Sequence, residues 1–71
     1  MMPQVGKLYK HYKGGIYHVI AIAEHTETKE SFVIYQSPNS AIVWARPLSN
    51  FAEVLGGENE NTWFHRFEEL S

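Results

Sequence analysis

Two groups of side chains in this 71-residue chain are of types that do chemistry together. The first joins His25-Thr26-Glu27-Thr28 with Tyr35, Trp44 and Arg46. A guanidinium holds a carboxylate or phosphate through parallel N–H donors, and an imidazole donates or titrates near neutral pH. Such a set builds a shallow, aromatic-walled pocket for an anion. The same residues also have a purely structural use, in which Glu27 pairs with Arg46, Thr28 bonds turn amides and Trp44 fills the core. The second group is Lys7, Tyr9, Lys10, His11, Tyr12 and Lys13. Lysines interleaved with aromatics suit single-stranded nucleic acid, through phosphate attraction and base stacking. They equally suit a solvated edge strand whose lysines discourage strand addition, with the tyrosines packed as core.

His11, His18 and His25 recur every seven residues. A hairpin turning on two residues would set His11 beside His18, which is half a metal site. There is no Cys or Asp to complete it, and no H-x-x-x-H or H-E-x-x-H spacing occurs. No metal or cofactor is therefore expected. The chain also lacks a G-x-S-x-G elbow, a phosphate-binding Gly loop and a G-x-G-x-x-G turn. The carboxylate pairs Glu58/Glu60 and Glu68/Glu69 fall in a polar loop and near the end of the chain, where solvated groups make poor acid–base partners. The chain does not read as an enzyme.

These side chains must be positioned by short strands. Residues 5–13 and 16–24 are rich in Tyr, Val and Ile and flank Gly14-Gly15, a signal for a two-residue hairpin loop. In that register Tyr12 faces Tyr17 and His11 faces His18; a longer loop around Lys13 would shift every pair. Polar residues 25–30 make a second turn, Phe32-Val33-Ile34-Tyr35 a third strand, and Ser37-Pro38-Asn39-Ser40 a loop. Ala41 to Arg46 is a fourth strand ended by Pro47, and Thr62 to Phe67 is the last. Between them Asn50 is placed to cap one helical turn, with Glu53 as its capping-box partner and Gly56-Gly57 as its stop. Val19, Ala21, Phe32, Ile34, Val43, Phe51 and Phe67 are the expected core. Trp63 and Phe64, being adjacent, point to opposite faces, so at least one is exposed or covers an end. The fold class is mainly β: a small, curled antiparallel barrel of about five strands with one short helical turn, which hides its sheet edges.

Composition bounds the rest. Seventy-one residues allow one domain with a thin core. At 44% hydrophobic and 20% charged residues, the chain is not disordered. Without cysteine it has no disulfide framework and no thiol nucleophile. The longest apolar run, Val19 to Ala23, is far short of a membrane span, and the opening Met1-Met2-Pro3-Gln4 is unlike a signal peptide, so a cytoplasmic location without membrane contact is expected. Residues 1–18 carry three Lys and no acid, whereas residues 19–71 carry three basic residues and all eight Glu, for a net charge of −2. That total falls short of the basic footprint of most nucleic-acid binders.

The ordered pieces Gly6-x-x-Tyr9-x-His11-Tyr12-Lys13-Gly14, Tyr17-x-Val19, Ala23-x-His25-Thr26-Glu27-Thr28, Val33-x-Tyr35, Trp44-x-Arg46-Pro47-Leu48, Phe51 and Arg66-Phe67 resemble domain-of-unknown-function family 1653, small bacterial proteins. The resemblance covers nearly the whole chain from Gly6 onward. It implies an SH3-like barrel and supplies no activity or ligand. The stretch from Gly56 to Trp63 departs from the family pattern, being longer and richer in Glu and Asn. The resulting expectation is a non-enzymatic binding or adaptor module, monomeric or a weak homodimer, that holds a protein, peptide or small anion. Its face comprises Tyr9, His11, Lys13, His25, Glu27, Tyr35, Trp44 and Arg46, with Arg46 as the anion anchor. The alternative is single-stranded nucleic acid binding through the first strand, and an enzyme is the third reading.

Overall fold

A computed structural model describes residues 2–56 and 62–70. Gly57 and the Glu58/Glu60 pair lie outside the described residues. The β-branched and aromatic runs become strands β1 (Leu8–His11), β2 (Ile16–Glu24), β3 (Ser31–Gln36) and β4 (Val43–Pro47), followed by a one-turn helix α1 (Leu48–Phe51). Three short strands complete the chain: β5 (Val54–Leu55), β6 (Phe64–His65) and β7 (Phe67–Glu69). Five strands form one antiparallel sheet in the order β4-β3-β2-β1-β7, and β5 and β6 form a separate ribbon. The mainly-β class with one short helical turn is as expected. Among the described residues no pairing joins β4 to β7, so the sheet keeps two edges. They approach through side chains instead: the Arg46 guanidinium of β4 lies 5.5 Å from the centre of the Phe67 ring of β7.

The single last strand expected over residues 62–67 is two strands. Arg66 sits at a bend, where its amide donates to the Glu53 carbonyl at 3.0 Å and its guanidinium meets the Glu53 carboxylate at 2.6 Å. This clamp lets β6 pair with β5 while β7 turns away to pair with β1. The helical turn also begins earlier than expected. Pro47 precedes it with no side-chain cap, and Asn50 lies inside α1 rather than at its N-cap. That frees the Asn50 side chain for another use.

The first hairpin does not turn on Gly14-Gly15 alone. Leu8 faces His18, Tyr9 faces Tyr17 and Lys10 faces Ile16. The His11 amide donates to the Gly15 carbonyl at 2.7 Å and the Gly14 amide to the His11 carbonyl at 2.8 Å, leaving a three-residue loop of Tyr12, Lys13 and Gly14. Gly14 takes φ of +110°, the positive-φ residue such a loop requires. Two glycines in a row suit either loop, and the longer one wins here because it turns Tyr9 and Tyr17 together toward the core. With this register His11 and His18 lie on opposite faces of the sheet. Among the described residues no three His or Glu side chains converge as metal ligands. A Cβ on Gly14 would meet nothing within 4 Å, so Gly14→Ala tests the backbone alone. The expected result is a loss of about 1–2 kcal/mol in chemical denaturation, without a change in the native spectrum.

Tyr9, Val19, Val33, Tyr35, Phe51 and Phe67 form the buried core. Val19, Phe51 and Phe67 are as expected; Ala21, Phe32, Ile34 and Val43 are not part of it. The run Phe32-Val33-Ile34-Tyr35 is apolar on both faces, so alternation cannot choose between them. Pairing decides: Tyr35 lies between Val19 and Trp44, and Val33 between Ile22 and Arg46. A bulge between Val19 and Ala21 exchanges the faces of β2, turning Ile22 inward and Ala21 outward beside Ile34. Phe32, Ile34 and Val43 therefore share the outer face with Ala21, and Val43 is half exposed. On the inner face α1 seats Phe51 flat on Phe67, with ring centres 4.0 Å apart and planes 5° from parallel.

Candidate functional site

The curl of the sheet brings the inner ends of β1, β3, β4 and β7 around one cleft of about 320 Å3, lined by His11, Lys13, Gly15, Tyr17, Tyr35, Arg46 and Phe67. Each lining group is set by a local rule. Arg46 alternates with Trp44 on the inward side of β4, and the ring of Phe67 lies beneath its guanidinium. Arg46 Nε donates to the Tyr35 hydroxyl at 3.0 Å, and Nη1 donates to Asn50 Oδ1 at 2.6 Å. Two neutral acceptors and a ring face thus orient the arginine. Among the described residues the only ion pair is Arg66 with Glu53, so the charge of Arg46 is not neutralised by a carboxylate there.

The hairpin loop supplies the opposite lip. His11 Nδ1 accepts the Lys13 amide at 3.1 Å, which assigns the remaining proton of a neutral ring to Nε2. Burial lowers the His11 pKa from its ordinary value, and the charges of Arg46, Arg66 and Lys13 lower it further. The neutral imidazole is therefore favoured in the folded chain. Gly15 contributes by its lack of a side chain, because a Cβ there would stand 2.7 Å from the Tyr17 hydroxyl. Tyr17 packs edge-on against Tyr35 at 5.3 Å and Trp44 at 5.7 Å. Trp44 keeps 39% of its surface exposed, so an open aromatic shelf adjoins the cationic floor.

Of the eight residues expected to form the site, His11, Lys13, Tyr35 and Arg46 line the cleft and Trp44 flanks it through Tyr17. Tyr9 is fully buried: its hydroxyl donates to Glu69 at 3.1 Å and accepts the Gln4 amide at 2.8 Å. Desolvation raises its pKa, with Glu69 adding to the rise and the Gln4 hydrogen bond opposing it. His25 and Glu27 belong to the β2–β3 turn. There His25 Nδ1 accepts the amides of Glu27 and Thr28 at 3.1 and 3.2 Å, and Thr28 Oγ1 accepts that of Glu30 at 3.2 Å. The conspicuous His-Thr-Glu-Thr run therefore builds a turn, which closes with Lys29 at φ of +64°. Glu27 does not pair with Arg46.

Tyr17, Asn50 and Phe67 are positions in or beside the cleft that the sequence alone did not assign to the site. Only the hairpin register and the helix start reveal the first two, and Phe67 was legible as core without its second role beneath Arg46. The basic-aromatic segment divides between the faces. Tyr9 and His11 turn inward, while Lys10 turns outward opposite Glu68. Tyr12 reaches Phe64 at 5.3 Å, in an adjoining hollow of about 400 Å3 that Lys10, His11, His65 and Glu68 also line. Trp63 and Phe64 are both exposed.

Residues 7–69 match the family described as protein of unknown function (DUF1653). The chain belongs to this family. No curated protein and no solved structure matches it. The DUF1653 match begins just before β1 and ends with β7, so every element around the cleft falls within the family segment. No helix among the described residues is long and apolar enough to cross a membrane.

Proposed function

We propose that the protein is a non-enzymatic binding module of a bacterial cytoplasm that recognises its ligand through an anionic group held by Arg46. The observation that carries this reading is the state of that side chain. Arg46 is oriented by Tyr35, Asn50 and Phe67, faces an open cleft, and has no carboxylate among the described residues to neutralise it. A structural arginine is ordinarily matched by an acid, whereas among the described residues this one commits only two of its five N–H donors. The neighbouring aromatic shelf supplies contact area for the rest of a ligand.

An amide NMR titration of the full chain with sodium phosphate and with sodium acetate, at low and then raised ionic strength, tests the reading. Shifts centred on Lys13, Gly15, Tyr35 and Arg46 that shrink with added salt are the expected result. The same titration with a short single-stranded oligonucleotide is the control. Oligonucleotide shifts running outward over Lys7 and Lys10, with none at Arg46, would replace the cleft by a nucleic-acid surface. Silence toward both anions would remove the anion-binding reading altogether.

A further inference from the structure

The donors around the cleft restrict the kind of anion it suits. They belong to separate elements: Arg46 on β4, His11 at the end of β1 with its ring proton on Nε2, and Lys13 on the hairpin loop, whose ammonium rests 5.8 Å from the centre of the Tyr12 ring. The Tyr35 hydroxyl already accepts from Arg46 Nε, so its own proton is free to turn toward the cleft. A carboxylate is planar and presents two oxygens on one side. A terminal phosphate presents three oxygens in a tetrahedral spread and carries close to two charges at neutral pH. Among the described residues no carboxylate lines the cleft to repel it.

We infer that the cleft takes a phosphomonoester dianion, with its oxygens on Arg46, Lys13 and His11, in preference to a carboxylate or a phosphodiester. The inference rests on the anion-binding reading above and narrows it to one chemical class. A phosphodiester has one charge and two free oxygens, so it leaves one of these donors unanswered. The second charge also acts on His11. This ring faces Lys13 from its own loop, Arg46 from β4, Arg66 from the bend before β7, and Lys10, His65 and Glu68 across the adjoining hollow. Burial and then the cationic surroundings disfavour the imidazolium in the cleft, and a bound dianion offsets the cationic part. Binding therefore raises the His11 pKa and takes up a proton when the pH lies between the free and bound values. The aromatic shelf of Tyr17 and Trp44 beside the phosphate position admits a planar ring. A nucleoside monophosphate would use that shelf and a sugar phosphate would leave it bare, and both share the recognised group.

Calorimetric titration of the full chain with AMP, ribose 5-phosphate, dimethyl phosphate and acetate at fixed ionic strength tests the class. One additional charge-assisted hydrogen bond corresponds to about tenfold in affinity. The two monoesters are expected to bind at least about tenfold more tightly than dimethyl phosphate or acetate. AMP exceeding ribose 5-phosphate would assign the ring to Trp44 and Tyr17, whereas parity would assign the sugar phosphate. Imidazole NMR of His11 should show its titration midpoint moving up on saturation with ribose 5-phosphate, and His11→Gln should reduce the ratio of monoester to acetate affinity. Equal binding of all four anions would overturn the phosphomonoester inference and leave anion binding standing. Absence of binding by any of them would overturn both. An unmoved His11 midpoint under saturation would overturn the placement of phosphate against that ring.

Discussion

Phe67→Ala is expected to abolish cooperative folding at room temperature. Phe67 is 1% exposed and stacks on Phe51 at 4.0 Å, with Tyr35 at 5.8 Å, Tyr17 at 6.0 Å, His11 at 4.9 Å and the Arg46 guanidinium at 5.5 Å around it. It is the point at which β7, α1 and the two edges of the curled sheet meet. Truncating a buried Phe to Ala typically loses about 3–5 kcal/mol. A core of this size rarely supplies more than about 3–5 kcal/mol in total, so the single change removes most of the margin. The check is a thermal melt followed by near-ultraviolet circular dichroism, with Phe64→Ala as the comparison. Phe64 is 41% exposed, and its removal should leave a cooperative transition. A Phe67→Ala protein that still melts sharply well above room temperature would show that the curl is held elsewhere.

Arg46→Ala should separate binding from folding. Arg46 donates one hydrogen bond to Tyr35 and one to Asn50 at an open cleft, so water can replace it at both acceptors. The expected loss is about 1 kcal/mol of stability, or roughly 4–8 °C in Tm for a domain of this size. Loss of phosphate affinity should be far larger, about 100-fold, because the guanidinium is an anchor fixed from three sides, by Tyr35, Asn50 and Phe67. Arg46→Lys sharpens the comparison. A lysine keeps the charge but cannot span Tyr35, Asn50 and a ligand with one planar fork, so affinity should recover only partly. If Arg46→Ala instead unfolds the chain, or binds phosphate as well as the parent does, the arginine is a structural strut.

The organisation of the site was legible only in part, and the reason differs from residue to residue. Arg46, Tyr35, Trp44, His11 and Lys13 were found from residue type, because a guanidinium among aromatics has few cheap uses in a thin core. His25 and Glu27 were drawn in by the same criterion, yet their groups are satisfied locally by the turn amides of Glu27, Thr28 and Glu30. Side chains that bond within two or three residues of themselves leave the same trace in a sequence as a binding motif does. Asn50 shows the opposite error: it was read as a helix cap, and it instead holds the guanidinium.

By itself the order of residues determined the element types, the one-turn helix, the end of the fourth strand at Pro47, and a core containing Val19, Phe51 and Phe67. Those features follow from local propensity and from chain breakers, which act over a few residues. Tertiary structure alone decided which face of each strand turns inward. A three-residue loop at Gly14, one bulge in β2 and a bend at Arg66 each change strand parity or partner, and each is a single-residue event. Because side chains alternate with a period of two, one residue of slip moves an entire strand's set to the other face. Only the folded pairing could therefore bring Arg46, His11 and Lys13 to one cleft and carry Ile34 and Val43 away from it.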